Sequence, residues 1–455
     1  MATLDDRETT PVPHLQSNDP LPREIWVVIF QIIVDSSTDS TRTTFTGRKH
    51  DPLLILTWVC SHWRNLAIST PSLWSKLQIQ INRDSLKLAK HKESYTKLVD
   101  LWIHRSKQCP LAIVLVDLQG HRRGRRVPRN VHFLPWSISD PIVKECNRWE
   151  TLHIKTSQDS EGGNYLWRFT PLKNSLTNLK SIKIQVKPRT DADGGPFIVE
   201  EQPQLTFIEG ATKLRTVRLS VPELFFGSSL PFADLTTLDL VVDQKHRFAF
   251  PLPIFQCLMA LNMCPNLLHA AFNCGPAGEA FSKMAPTCHL NLTELHIFET
   301  HTRSEMPGTR IFLERLTAPC LSRLLVTSNS YPPDGEPSRW DHESMHDFLS
   351  RSPRLELLCL RFPNVGQVSV GEAIKYLHRL SNLRHFTLSI FHDPQTPVEH
   401  DVLRTLFMKD DRWPLAYISR VYYWINAPQK ILNITTDPLI KRKKYESGIL
   451  VAPKL

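Results

Sequence analysis

One stretch of the sequence has residue types and spacing that could perform chemistry unaided: His342-Glu343-Ser344-Met345-His346. On a helix, imidazoles four residues apart share a face one turn apart, which suits a zinc ion, and Glu343 could then serve as general base. The surroundings argue against this. Asp341 and Asp347 flank the pattern, no His-x-x-Gly-x-x-His continuation follows, and the nearest further ligand in sequence is Glu356. Two histidines beside acids at the start of a helix are commonly just solvated. A zinc hydrolase at His342 and His346 is therefore the weakest of the readings. The 16 glycines form no phosphate-cradling Gly-x-x-x-x-Gly-Lys or Gly-x-Gly-x-x-Gly. No Gly-x-Ser-x-Gly elbow occurs either. The chain is read as a non-enzyme, with no catalytic residue, metal or cofactor.

Nine cysteines, an odd number without any Cys-x-x-Cys, exclude a zinc ribbon and a thioredoxin-type pair. Reduced, buried thiols in a cytoplasmic or nuclear protein are expected instead. The net charge of +10 raises the question of nucleic acid. Most of that excess lies in two short runs, HRRGRRVPR at 121–129 and KRKK at Lys441–Lys444. A nucleic-acid binder spreads its cations along a face that follows phosphates. The two runs are read as solvated loops, with a nuclear-import signal at Lys441–Lys444 as the alternative, and nucleic acid is not the expected partner.

The elements that would position any site begin with the 455-residue length, enough for about three domains or one long repeat array. The longest apolar stretch, Ile25–Val34, is too short to span a bilayer, and residues 1–18 are too polar for a signal peptide. From Pro22, a first-turn residue, Ile25, Val28, Ile29, Ile32 and Ile33 recur at helical spacing as an apolar stripe, with Trp26 and Phe30 to its side. Residues 36–46 hold eight Ser or Thr in eleven and predict a loop. A second helical pattern after Pro52 places Leu53, Leu56, Val59, Cys60, Trp63 and Leu66 on one face and ends at Thr70-Pro71. Two short helices with this much apolar surface need each other and a further partner to bury it.

Leu21-Pro22-x-Glu24-Ile25, then Ile29-Phe30, then Val59-Cys60-x-x-Trp63-Arg64-x-Leu66 resembles the F-box motif. The continuation Ser69-Thr70-Pro71-Ser72-Leu73-Trp74-Ser75-Lys76-Leu77 is similar to the version common in large fungal F-box families. The likeness covers residues 19–80, with an insertion at 35–51 that departs from the motif. It implies a small three-helix unit that docks on the Skp adaptor of a cullin-based ubiquitin ligase. It assigns that contact to Leu21, Pro22, Ile25, Ile29, Phe30, Val59, Cys60, Trp63 and Arg64, with Phe30 and Trp63 as the expected anchors.

Past residue 140 a phrase with apolar residues at positions 1, 4 and 6 recurs. It appears at Trp149-Leu152-Ile154, Leu179-Ile182-Ile184, Leu214-Val217-Leu219, Leu235-Leu238-Leu240 and Leu267-Ala270-Phe272. It continues at Leu292-Leu295-Ile297, Leu321-Leu324-Val326, Leu355-Leu358-Leu360 and Leu383-Phe386-Leu388. LTNLKSI and LSNLRHF are near copies, and helices are expected at Phe255–Asn262, Ile311–Leu316 and Ala373–Leu380. The spacing predicts a strand and a helix per repeat, stacked so that neighbours bury one another's leucines. Leucine-rich repeats carry Asn at position 9, yet only Asn329 falls there, so the array is called irregular and leucine-rich-repeat-like. An unrelated α/β domain is the alternative.

The expectation is an α/β chain with an N-terminal helical F-box followed by an irregular leucine-rich-repeat-like solenoid. Its parts are a disordered tail at 1–18, the F-box domain at 19–80 and a bridging segment at 81–140. A substrate-recognition array at 141–430 and a tail at 431–455 complete it. The partners implied are the Skp adaptor, through it a cullin, and a substrate protein. A scaffold unconnected with ubiquitin is the alternative function.

Overall fold

The computed structural model describes residues 21–38, 51–81, 89–117, 136–157, 169, 171–187, 205–220, 232–241, 252–275, 285–299, 308–328, 342–362, 380, 382–390, 420–424 and 431–434. The expected tail at 1–18 and the basic runs at 121–129 and Lys441–Lys444 lie outside these residues. Among them the chain is mixed α/β, and no helix is long and apolar enough to cross a membrane.

Helix α1 spans Arg23–Thr38 and starts where Ile25 N and Trp26 N donate to Pro22 O at 3.0 and 3.3 Å. Glu24 lies in its first turn, where the helix dipole favours a carboxylate. The Ser/Thr-rich stretch expected as a loop thus begins as helix, and its remainder lies outside the described residues. Helix α2, Pro52–Val59, is capped by Asp51, whose Oδ1 accepts from Leu53 N at 2.9 Å and Leu54 N at 3.3 Å. Burial raises the Asp51 carboxyl above its ordinary value, and those two N–H bonds oppose the rise.

The expected single helix after Pro52 is two. Cys60 is extended, at φ −155° and ψ 170°, and separates α2 from α3, Ser61–Ser69. Its Sγ caps α3 by accepting from Trp63 N at 3.4 Å. Arg64 Nε donates back across the break to Thr57 O at 2.8 Å. Leu53, Leu56 and Leu66 are buried while Val59 and Cys60 are exposed, so the face read from the spacing does not exist. A 3₁₀ turn, Pro71–Trp74, leads into the sheet.

The remaining elements are β1 Lys76–Ile81, α4 Ala89–Ser106, β2 Leu111–Asp117, α5 Trp136–Lys144, β3 Trp149–Ser157, β4 Ser181–Lys187, β5 Thr216–Ser220 and β6 Thr237–Leu240. Then come α6 Ile254–Met263, β7 His269–Cys274, β8 Thr287–Cys288, β9 Glu294–Glu299, α7 Gly308–Arg315, β10 Leu316–Thr317, β11 Arg323–Ser328 and α8 His342–Ser350. The last are β12 Leu357–Phe362, β13 His385–Ile390, β14 Arg420–Trp424 and β15 Ile431–Ile434. Thirteen strands form one sheet in chain order, with β8 and β10 set apart as a two-stranded ribbon. Every neighbour in the large sheet is parallel except the final pair, β14 and β15.

All nine triplets fall on strands of this sheet, and their middle residues share one register row. Leu152 lies beside Ile182, Ile182 beside Val217, Val217 beside Leu238 and Leu238 beside Ala270. The row continues through Leu295, Leu324 and Leu358 to Phe386. It also runs backwards to Ile113 and Leu77, two strands ahead of the first triplet. Positions 4 and 6 point to one side of a strand, because side chains alternate with period two. Position 1 lies in the turn beneath them. From Trp149 to Leu360 each of these residues is buried.

The sheet begins at Lys76, inside the segment assigned to the helical head. Within the bridging segment 81–140, LAIVLV at 111–116 reads as a strand and lies in β2, which joins the same sheet, with α4 before it and α5 beginning after it. At the other end, Ile431–Ile434 pairs as an edge strand where only a tail was expected. The expected helix Phe255–Asn262 lies within α6, α7 takes in Ile311–Arg315, and residues 373–379 of the third expected helix lie outside the described residues. Short 3₁₀ turns lead into β3, β5 and β6, at Cys146–Arg148 just after α5, at Thr206–Ile208 and at Phe232–Asp234.

One buried core runs from Phe30 to Leu383 without a break between head and sheet. The junction is aromatic. Trp74 is fully buried, its Nε1 donates to Ala67 O at 2.8 Å, and its ring meets Trp102 edge-on at 4.6 Å. The Arg105 guanidinium lies 4.4 Å from the Trp74 ring centroid, a cation–π contact. Lys76 also pairs with Asp35, tying β1 to α1.

Candidate functional site

Two faces could meet a partner, and each is built by a different periodicity. The first is the outer side of the helical head. Helix α1 is apolar around most of its circumference, so which stripe faces inward is a packing question. Trp26, Phe30 and Val34, one turn apart, take the inner side. Phe30 and Val34 are buried, and Trp26 is packed against the core. Trp26, Phe30 and Trp63 form a ring cluster, with Trp63 centred 5.1 Å from each of the other two. Ile25, Val28 and Ile32 point outward, and Ile32 is 61% exposed. Of the stripe read from spacing, Ile29 and Ile33 pack against the core while Ile25, Val28 and Ile32 face outward, and the expected flank of Trp26 and Phe30 turns inward to meet Trp63.

The nine residues assigned to the adaptor contact divide accordingly. Leu21, Pro22, Ile25, Val59, Cys60 and Arg64 are exposed, and Ile29 and Trp63 are half-buried. Phe30 is 0% exposed and cannot anchor a partner, so that assignment is corrected. Half-buried Trp63 packs its ring against Trp26 and Phe30. The residue that spacing missed is Trp58, 61% exposed at the end of α2 beside Val59, which is 56% exposed. Its signal was present in the sequence: an indole one residue from a motif position, on a helix whose core is already filled by Leu53 and Leu56.

The exposed apolar residues are concentrated here. Of the eleven large hydrophobics that are exposed among the described residues, eight lie in this head: Leu21, Ile25, Val28, Ile32, Ile55, Trp58, Val59 and Ile68. Scattered exposed apolar residues are ordinary, but a cluster of this kind marks an interaction surface.

The second face is the open side of the sheet, carrying the residues between positions 4 and 6. Its central row begins with Gln78 on β1 and Val114 on β2. It proceeds through His153, Lys183, Arg218 and Asp239 on β3 to β6, each beside the next. Beyond these come Ala271, His296 and Leu325. In this row the cations lie on β3–β5, and Ala271, the His296 imidazole and Leu325 follow on β7–β11, where the His296 ring lies tilted against Phe298 at 3.7 Å between centroids.

Local electrostatics follow from that row. His153 Nε2 donates to Gln185 Oε1 at 3.2 Å. Burial pushes the His153 imidazole below its ordinary value; the Gln185 bond opposes this, while Lys183 and Lys155 add to it. Burial raises the Asp239 carboxyl, against the pull of Arg218 and Lys183.

His342 opens α8 with Glu343 exposed behind it, while half-buried His346 has its Nδ1 3.5 Å from Asp347 Oδ1. Glu356 is exposed at the entry to β12. Among the described residues no three His, Cys, Asp or Glu side chains converge as a metal site. All nine cysteines are free thiols. Burial pushes the Cys264 thiol up to about 12, so no thiolate forms there near neutrality. No protein-family model matches this chain, and a search of the curated proteins finds no match either.

Proposed function

We propose that the chain is a substrate-recognition adaptor of an SCF-type ubiquitin ligase. Its head docks on a Skp-family adaptor and through it on a cullin, and its sheet holds a target protein. The leucine-strand array is then an irregular, leucine-rich-repeat-like solenoid entered directly from an F-box-type head. The cell compartment that fits is cytoplasm or nucleus. The observation carrying this reading is the exposed apolar surface of the head, where Leu21, Ile25 and Val59 of the family motif lie among the exposed residues. A monomer gains nothing by leaving eight large apolar side chains in water, since each would contribute roughly 1.5–3 kcal/mol if buried.

The chain performs no bond-making itself in this scheme. It raises the effective concentration of target lysines at the charged ubiquitin-conjugating enzyme, and proximity supplies the rate. The test is co-purification of the full chain with purified Skp adaptor. Trp58→Ala with Val59→Asp should weaken the complex by about thirtyfold or more, as expected for a desolvated anchor, and leave the circular-dichroism spectrum unchanged. Wild-type chain that is folded and does not bind the adaptor would leave the scaffold reading in its place.

A further inference from the structure

Lys183 and Arg218 lie side by side on the open face of neighbouring parallel strands, in register, with His153 directly next in the row. Adjacent strands are about 4.8 Å apart, so like charges at paired positions repel and cost stability. Lys155 adds a third fixed cation two residues along β3, on the same face as His153. One carboxylate, Asp239, borders the group and leaves it net positive.

The contrast with the strand entrances is direct. There the cations are paired: Lys180 with Glu150, Lys173 with Glu209, Arg215 with Asp234 and Arg323 with Glu294. Among the described residues, these rim cations are paired one to one with acids, whereas Lys183 and Arg218 at the centre of the face share Asp239 as their acidic neighbour. Immediately beyond Asp239 the same row carries no lysine or arginine, only Ala271, the His296 imidazole and Leu325. A ligand that follows the row across the strands therefore meets cations first, then the His296–Phe298 ring pair between Ala271 and Leu325.

We propose that this sheet face binds an extended acidic peptide segment of a partner protein, its carboxylates over Lys155, Lys183 and Arg218 and its apolar side chains over Ala271, Phe298 and Leu325. This rests on the preceding reading, in which the sheet holds the target, and names the chemistry of that target. A nucleic acid fits less well. The cationic part spans only three strands, about 10 Å, and is followed by Asp239 and a row without lysine or arginine, where a polyanion would need continued positive charge.

The test uses the full chain in complex with the Skp adaptor and a fluorescein-labelled peptide of alternating Glu and Ser ending in Leu-Phe. Anisotropy should report saturable binding that weakens with salt. Lys183→Gln with Arg218→Gln should weaken it tenfold or more, and Lys183→Arg should retain it. Lys183→Arg preserves the charge beside Asp239 and should leave the melting temperature unchanged. No saturable binding, equal binding by the double variant, or tighter binding of a single-stranded oligonucleotide of equal charge would each overturn the proposal. Adaptor co-purification, read on the same samples, separates this from the adaptor reading: it should be unaffected by the sheet variants. Peptide capture by chain that does not hold the adaptor would overturn the adaptor reading alone.

Discussion

Asn266 Nδ2 donates to the carbonyl oxygen of Ala233, 33 residues earlier, at 2.9 Å. Asn266 stands one residue before the first leucine of its triplet, and Ala233 two before that of the preceding one. The same relation recurs from Asn178 to Asn147 at 2.7 Å, from Asn291 to Pro265 at 2.9 Å and from Asn382 to Pro353 at 2.9 Å. Buried Arg148 makes the equivalent reach to Cys109 O, at 2.9 Å from Nη2 and 3.2 Å from Nε. A carbonyl in a strand-entry turn lies off the sheet ladder and needs an acceptor's partner from a side chain. The asparagines that stitch neighbouring strands are thus at the entry end, before position 1, while Asn329 at position 9 lies outside the described residues.

Asn266→Ala should remove one such bond and lower the unfolding free energy by about 1 kcal/mol, with Asn291→Ala similar. The double variant should exceed the sum, because Asn291 bonds to Pro265, adjacent to Asn266. Urea denaturation of the three proteins measures it; no loss in either single variant would mean water replaces the side chain.

Phe30→Ala should destabilise the head by about 3–5 kcal/mol, since it empties a fully enclosed site between Trp26 and Trp63. Ile32→Ala, 61% exposed on the same helix, should change stability by no more than about 0.5 kcal/mol. Chemical denaturation followed by tryptophan fluorescence distinguishes the two sides of α1, and equal costs would contradict the orientation described here.

Trp102→Ala should loosen the head and the first strands together. It removes the ring that packs edge-on against Trp74, and with it the enclosure of the only turn joining α3 to β1. Hydrogen exchange should rise in both α3 and β1. By the same argument a fragment ending near residue 85 lacks Trp102 and Arg105 and should be less stable than the head within the full chain.

His153 should titrate below about 6.5, the ordinary histidine value, because burial and two nearby lysines disfavour its cation. The unfolded chain then takes up this proton first as pH falls, so the group's contribution makes stability drop as pH decreases from about 6.5 toward the folded pKa. Lys183→Gln should move the His153 pKa upward. Proton NMR of the imidazole ring gives both values, and an unmoved pKa would show that Lys183 does not act on it.

The amino-acid sequence by itself determined the strand array. Alternation with period two and the leucine before it are local, so all nine triplets could be read, and each lies on the expected strand at the expected position. Helix α1 was equally legible as an element, though its orientation was not. An apolar helix carries no label for its inner side; Trp26 and Phe30 face inward only because Trp63 arrives from another helix to complete the cluster. The break at Cys60, the entry of residues 76–117 into the sheet and the exposure of Trp58 depend in the same way on what packs where. So does the cationic group on the open face. Lys155, Lys183 and Arg218 are scattered over more than sixty positions as ordinary surface charges, and strand register alone makes them neighbours. Local periodicity fixes which residues are buried within a strand or helix; long-range contact decides which surfaces are left over, and interaction surfaces are made of what is left.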